Sequence, residues 1–217
     1  MIALLFLAAL ACDGTTDDSQ AWAAALELAD AGRDKTVELP AGTCVFRSRP
    51  APITRGVNVQ GQGKSWTVLQ CNVGGSTCIQ ICDMGSAFRD LSIWAGPGTT
   101  GGVGLSVAAC GGRAAGNHVL EHLWVTAGAG GGQWGVPLHV DGSLRTAAPA
   151  GMRTVVLNDV SSFAGSSWSA VLWDCVGCEW RGGGAYGSIA VGGARSVNIR
   201  LDIVYNAGST IWPGVLR

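Results

Sequence analysis

Charge is scarce in this sequence. Asp, Glu, Lys and Arg together make up 13% of its 217 residues, about half the usual share. Only Lys35 and Lys64 are lysines, the arginines are scattered, and the formal net charge is -1. No basic stripe exists to hold a phosphate backbone, so nucleic acid is excluded as an expected partner. Proline is also sparse, at 7 residues, and glycine shows no three-residue period, which excludes collagen. Long apolar runs are missing too. Residues 1–11 are the longest, and a bilayer-spanning helix takes about 20 apolar residues. A hydrophobic content of 47% with so little charge excludes a disordered chain.

The chain does contain 34 glycines and 8 cysteines. An even number of cysteines points to a disulfide framework in an extracellular or particle-exposed protein. Cys71 and Cys78 flank N-V-G-G-S-T, a turn-forming stretch, and are one candidate pair. Cys175 and Cys178 are a second. In an extended strand residues three apart lie about 10 Å from each other, so this bridge requires Val176-Gly177 to turn. The alternative is buried free thiols between strands. No second C-x-x-C or histidine pair completes a zinc site, so no metal and no cofactor are expected. The apolar segment 1–12 reads either as a first strand or as an export signal that lacks the usual leading Lys or Arg.

Beyond Cys12, Trp22, Ala25, Leu26 and Ala29 recur at helical spacing. Asp17 or Asp18 precedes them as an N-cap and Gly32 follows as a left-handed stop, so the pattern predicts one helix over 17–32. From residue 36 to 217 the chain alternates with period two and breaks at glycine and serine, as short strands do. Arg89–Trp94 and Leu120–Val125 share a pattern, and such self-similarity at irregular spacing fits a solenoid with variable turns. A solenoid needs a cover at its open end, and the lone helix supplies one. The expected fold is all-β, a right-handed parallel β-helix with one N-terminal capping α-helix. It forms a single domain over 1–217, with Gly128–Gly132 as a flexible loop; a sandwich is the alternative.

Three motifs support that choice. D-G-T-T-D-D-S-Q-A-W-A-A-A-L, then T-V-E-L-P-A-G-T-C-V-F, then G-V-N-V-Q-G-Q-G-K-S-W-T-V-L follow in order over residues 12–70. They resemble the start of the pectate-lyase-like right-handed parallel β-helix family, in particular its bacteriophage tailspike and depolymerase branch. The apolar residues 2–10 depart from the polar, aromatic strand that usually precedes this motif. In the family these motifs are structural. The resemblance implies that enzymatic members carry paired carboxylates on one outer face. Polygalacturonase signatures are absent here, and no acidic cluster of the calcium-dependent lyase kind is visible.

Candidate catalytic residues are Asp159, Asp174 and Glu179: rung spacing is expected to bring Asp159 and Asp174 near each other, with Glu179 or Asp202 alongside, the alternative being that each sits singly on the solvated side of a strand. His118, His122 and His139 are candidate general bases. Trp94, Trp124, Trp173 and Trp180 fall at strand ends, where an exposed indole stacks on a sugar. G-Q-G-K-S lacks phosphate-loop spacing.

With no assembled catalytic motif, the leading expectation is a non-enzymatic attachment component of a phage-like virion: a spike, fibre base or capsid decoration. It is expected to be virion-borne or extracellular and a homotrimer in contact with other virion proteins and surface polysaccharide. The first alternative is a polysaccharide depolymerase, glycosidase or lyase. The second is an exported bacterial β-helix protein.

Overall fold

Glycine and serine clusters cut the chain into short strands, and the computed structural model shows how they stack. It describes residues 9–54, 56–82, 85–108, 116–128, 130–142, 152–163, 166–193, 198–205 and 211–213. Residues 1–8, Asp83 and Cys110 lie outside them. In chain order the elements are β1 (Asp13–Asp17), α1 (Ser19–Ala31), β2 (Thr36–Glu38), β3 (Gly42–Phe46), β4 (Asn58–Gln60), β5 (Thr67–Cys71), β6 (Thr77–Ile81), β7 (Ala87–Ala95), β8 (Val103–Ala108), β9 (Gly116–Ala127), β10 (Val136–Asp141), β11 (Met152–Phe163), β12 (Ala170–Trp173), β13 (Cys175–Val176), β14 (Glu179–Tyr186), β15 (Ile189–Gly192), β16 (Arg200–Tyr205) and β17 (Ile211–Pro213).

The strand pairs are parallel, and neighbours in space are one coil apart in sequence. An 11-stranded sheet runs β1-β3-β5-β7-β9-β11-β14-β16, with β2, β4 and β13 on its margins, and a 6-stranded sheet runs β6-β8-β10-β12-β15-β17. The molecule is a right-handed parallel β-helix. Alternation sends every second side chain inward, and the register stacks these into columns. Phe88, Leu120, Leu157 and Trp180 form one column, and Ile79, Leu105, Leu138, Ala170 and Ile189 form another. All of these are buried. Each buried Leu, Ile or Phe contributes about 1.5–3 kcal/mol, so the columns hold the coils together. Gly104 shows how tightly the coils approach, since a Cβ there would lie 2.7 Å from Val125 Cγ1 and from the Pro137 carbonyl oxygen.

β9 and β11 bend once near their starts, at Asn117 (φ 56°) and Thr154 (φ 50°), and β7, β9 and β11 share a second corner. Asp90, His122 and Asp159 adopt φ of 60°, 50° and 49°, and Gly182 continues the column on β14 at 65°. This left-handed region is favoured by glycine and tolerated by Asp, Asn and His.

The helix α1 covers the first coil. Trp22, Leu26 and Ala29 are buried in the core, and the Trp22 ring meets Phe46 edge-on at 5.6 Å between centroids. Asp18 is the N-cap residue of the helix but makes no side-chain cap bond, while Ser19 N–H donates to Asp17 Oδ1 at 3.1 Å just ahead of it. The Asp18 carboxylate turns inward, accepting from the backbone N–H of Ala11 at 2.7 Å and of Val45 at 3.2 Å. Gly32 is not the left-handed stop that its position implied. Its φ and ψ are -81° and 164°, because the chain leaves the helix already extended towards β2. Among the described residues there is one helix, and none long and apolar enough to cross a membrane. The expected loop at 128–132 is closely packed where it is described. Gly132 lies so near the Ala95 and Gly96 carbonyls that a side chain would not fit.

Candidate functional site

The three candidate carboxylates do not converge. Asp159 sits at the corner of β11, level with Gly182 through the β11–β14 register, whereas Asp174 precedes Cys175, which pairs with Met152. The two therefore stand at opposite ends of one flank. Glu179 lies at the start of β14. Its carboxylate is 2.5 Å from Arg181 Nη2 and 3.6 Å from Arg200 Nη1, and the bond to Arg181 holds its pKa below the usual carboxylate range. This is a surface charge cluster. Asp202 is level with Arg181, in the same cluster.

The tryptophans divide by strand parity. Trp180 is not a sugar platform: it points inward, is 0% exposed and donates its Nε1–H to the Val160 carbonyl at 3.0 Å. Trp173 ends β12 and is 38% exposed. Trp94 and Trp124 are half-buried on the outer face. Trp66, which the sequence reading passed over, is the most exposed large apolar side chain among the described residues, at 69%.

Disulfides join Cys12 to Cys44, Cys71 to Cys78 and Cys175 to Cys178. Gly177, at φ 69°, supplies the turn in the last of these. Cys82 is also disulfide-bonded. Among the described residues the one group with metal-holding spacing is Cys12, Asp18 and Cys44, and its two sulfurs are bonded to each other.

Two clusters of chemical groups remain. The first lies on the outer face of the six-stranded sheet. On β10, His139 Nε2 is 3.7 Å from Asp141 Oδ2. Asp141 is level with Trp173 on β12, and Asp174 follows immediately, beside Gly193 of the next coil. Coils are about 4.8 Å apart, so an imidazole, two carboxylates and an exposed indole share two neighbouring coils. Burial lowers the basicity of His139 against the opposing pull of Asp141, which keeps its imidazole neutral at neutral pH. His118, by contrast, is fully buried, and its Nδ1 accepts from the Ser86 backbone N–H at 3.4 Å.

The second cluster is the corner column. His122 Nδ1 lies 3.1 Å from Asp90 Oδ1. Lys64, from the turn between β4 and β5, reaches Asp159 Oδ2 at 2.6 Å and stands 5.4 Å from the ring centroid of Trp124. No sequence signal links Lys64 to Asp159, 95 residues away. The left-handed corners were legible only as Asp and His within strands.

No family model and no curated protein matches the chain. Among solved structures, the A-module of the mannuronan C-5 epimerase AlgE6 from Azotobacter vinelandii is similar, with a TM-score of 0.65 and 18% identity over 94% of this chain. The match covers 56% of that module, so the chain spans just over half its length. The AlgE4 A-module from the same organism matches at a TM-score of 0.43 and 15% identity, over 96% of this chain and 75% of that one. At these identities the AlgE6 likeness is one of fold: a parallel β-helix.

Proposed function

We propose that this chain acts on a polysaccharide, as a depolymerase whose site is the outer face of the six-stranded sheet at β10 and β12. One observation carries the reading: the half-buried imidazole of His139 lies 3.7 Å from the Asp141 carboxylate, one coil from the exposed Trp173 and from Asp174. An unprotonated imidazole near neutral pH is a competent general base. The Asp141 carboxylate stabilises the imidazolium formed when His139 takes a proton, and Asp174 adds a second carboxylate on the same edge. Trp173 offers its indole to the apolar face of a sugar ring. The β-helix of similar fold named as a mannuronan epimerase supports a polysaccharide as the ligand class.

The test is incubation with a panel of acidic and neutral polysaccharides, following chain length and new reducing ends. Products that carry the elements of water mean hydrolysis, and products short of water mean elimination. The wild-type chain is expected to shorten at least one polymer and His139→Ala to abolish this. A panel left intact by a folded protein would end the depolymerase reading.

A second reading, attachment to surface polysaccharide as a virion component, is favoured by the D-G-T-T-D-D-S-Q-A-W motif at the cap, whose sequence resembles that of the tailspike branch. It brings with it an extracellular particle, a homotrimer and virion partners. Locating the chain in purified particles tests it.

A further inference from the structure

The corner column holds groups that the six-stranded face does not use. We propose that Lys64, Trp124 and Asp159 form a second carbohydrate site, which holds a neutral, hydroxyl-rich sugar unit of a polymer. The turn that carries Lys64 is fixed in place: Gly63 N–H donates to the Asp90 carbonyl at 2.8 Å, and Ser92 Oγ–H donates to the Lys64 carbonyl at 2.5 Å. Its ammonium is thereby set between the Asp159 carboxylate and the Trp124 ring.

Chemistry selects the ligand. A sugar diol needs a donor and an acceptor side by side, which Lys64 and Asp159 provide, and its C–H face needs an apolar plane, which Trp124 provides. The surroundings carry no excess of positive charge: Lys64 and Arg89 stand among the carboxylates of Asp90, Glu121 and Asp159. Arg89 is level with Glu121, and Asp90 is paired with His122. Neither a phosphate nor an acidic sugar gains from such a field.

Exposure permits exchange. The Asp159 side chain is 46% exposed and that of Lys64 21%, so the carboxylate side of the pair is open to solvent and its oxygens can take a hydroxyl in place of the ammonium.

The place in the fold makes this a separate site. The corner divides β9 and β11 in mid-strand, while His139 and Trp173 lie on the other sheet, beyond the second half of β9 and residues 130–135. A ligand at one leaves the other open. A polymer held at both gains retention without new contacts at the catalytic face. The inference rests on the polysaccharide reading only for the choice of polymer.

The test is calorimetric titration of the full chain with neutral gluco-, galacto- and manno-hexasaccharides. Binding of at least one is expected, weakened at least tenfold by Lys64→Met and by Asp159→Asn, both surface changes that leave the core intact, and also by Trp124→Ala. His139→Ala is expected to bind as the wild type does. Unchanged affinity in folded Lys64→Met and Asp159→Asn, or no binding of any hexasaccharide at millimolar concentration, overturns the site. Loss of turnover without loss of this binding counts against the depolymerase reading alone.

Discussion

Asp90 and His122 occupy the same left-handed corner on consecutive coils, and the His122 ring bonds the Asp90 carboxylate at 3.1 Å. Ordinary L-residues are about 1–2 kcal/mol worse in this conformation, and Asp is among the least penalised. A β-branched residue is worst placed there. His122→Val is therefore expected to lose about 1–2 kcal/mol and His122→Gly clearly less, as read from urea unfolding midpoints at unchanged slope. Equal losses would mean that the Asp90 contact, and not the backbone, sets the corner.

Much of the architecture was readable because its causes are local. Trp22, Leu26 and Ala29 recur at helical spacing, and they are the buried face of α1. Alternation also separates the tryptophans. Trp180 lies between Glu179 and Arg181, so parity turns it inward, while Trp173 follows the inward Leu172 and turns out. Register is another matter. It depends on how many residues each turn consumes, and that number changes from coil to coil, so Asp159 within β11 and Asp174 between β12 and β13 part company although they lie on neighbouring coils. The Lys64–Asp159 pair and the His139–Asp141–Trp173 cluster are products of that register.

The Asp18 carboxylate is 1% exposed and accepts from three backbone N–H groups, those of Ala11, Cys12 and Val45. It stitches the entry to the cap onto β3. Removing it strands buried donors, each costing about 1–3 kcal/mol. Asp18→Ala is expected to lower stability by about 3 kcal/mol or more, with Asn, which keeps one acceptor, falling between. Chemical denaturation measures both.

The disulfides are expected to rank by the loop each closes. Cys12–Cys44 spans 32 residues and Cys175–Cys178 spans 3. Constraint of the unfolded chain gives about 4 kcal/mol for the first and about 2 kcal/mol for the second. Paired Cys→Ser variants, compared by urea unfolding under oxidising conditions, are expected to keep that order. The reverse order would mean that native packing around the C-x-x-C turn outweighs chain entropy.

His139 supplies a pH test of the proposed site. Burial lowers its affinity for a proton from the ordinary value of 6.5, and Asp141, 3.7 Å away, opposes that shift. In the unfolded chain the ring protonates as pH falls through about 6.5, while the folded ring resists until lower pH. Stability is therefore full above that value and declines below it, until the folded ring also takes its proton. Activity that needs the neutral ring is expected to survive below pH 6.5 and then fall. Asp141→Asn removes the one group that favours the charged ring, so the titration of His139, followed by the NMR shift of its ring protons, is expected to move lower still. A move upward would mean that Asp141 is not the group the ring senses, and the pairing proposed for the catalytic face would fail with it.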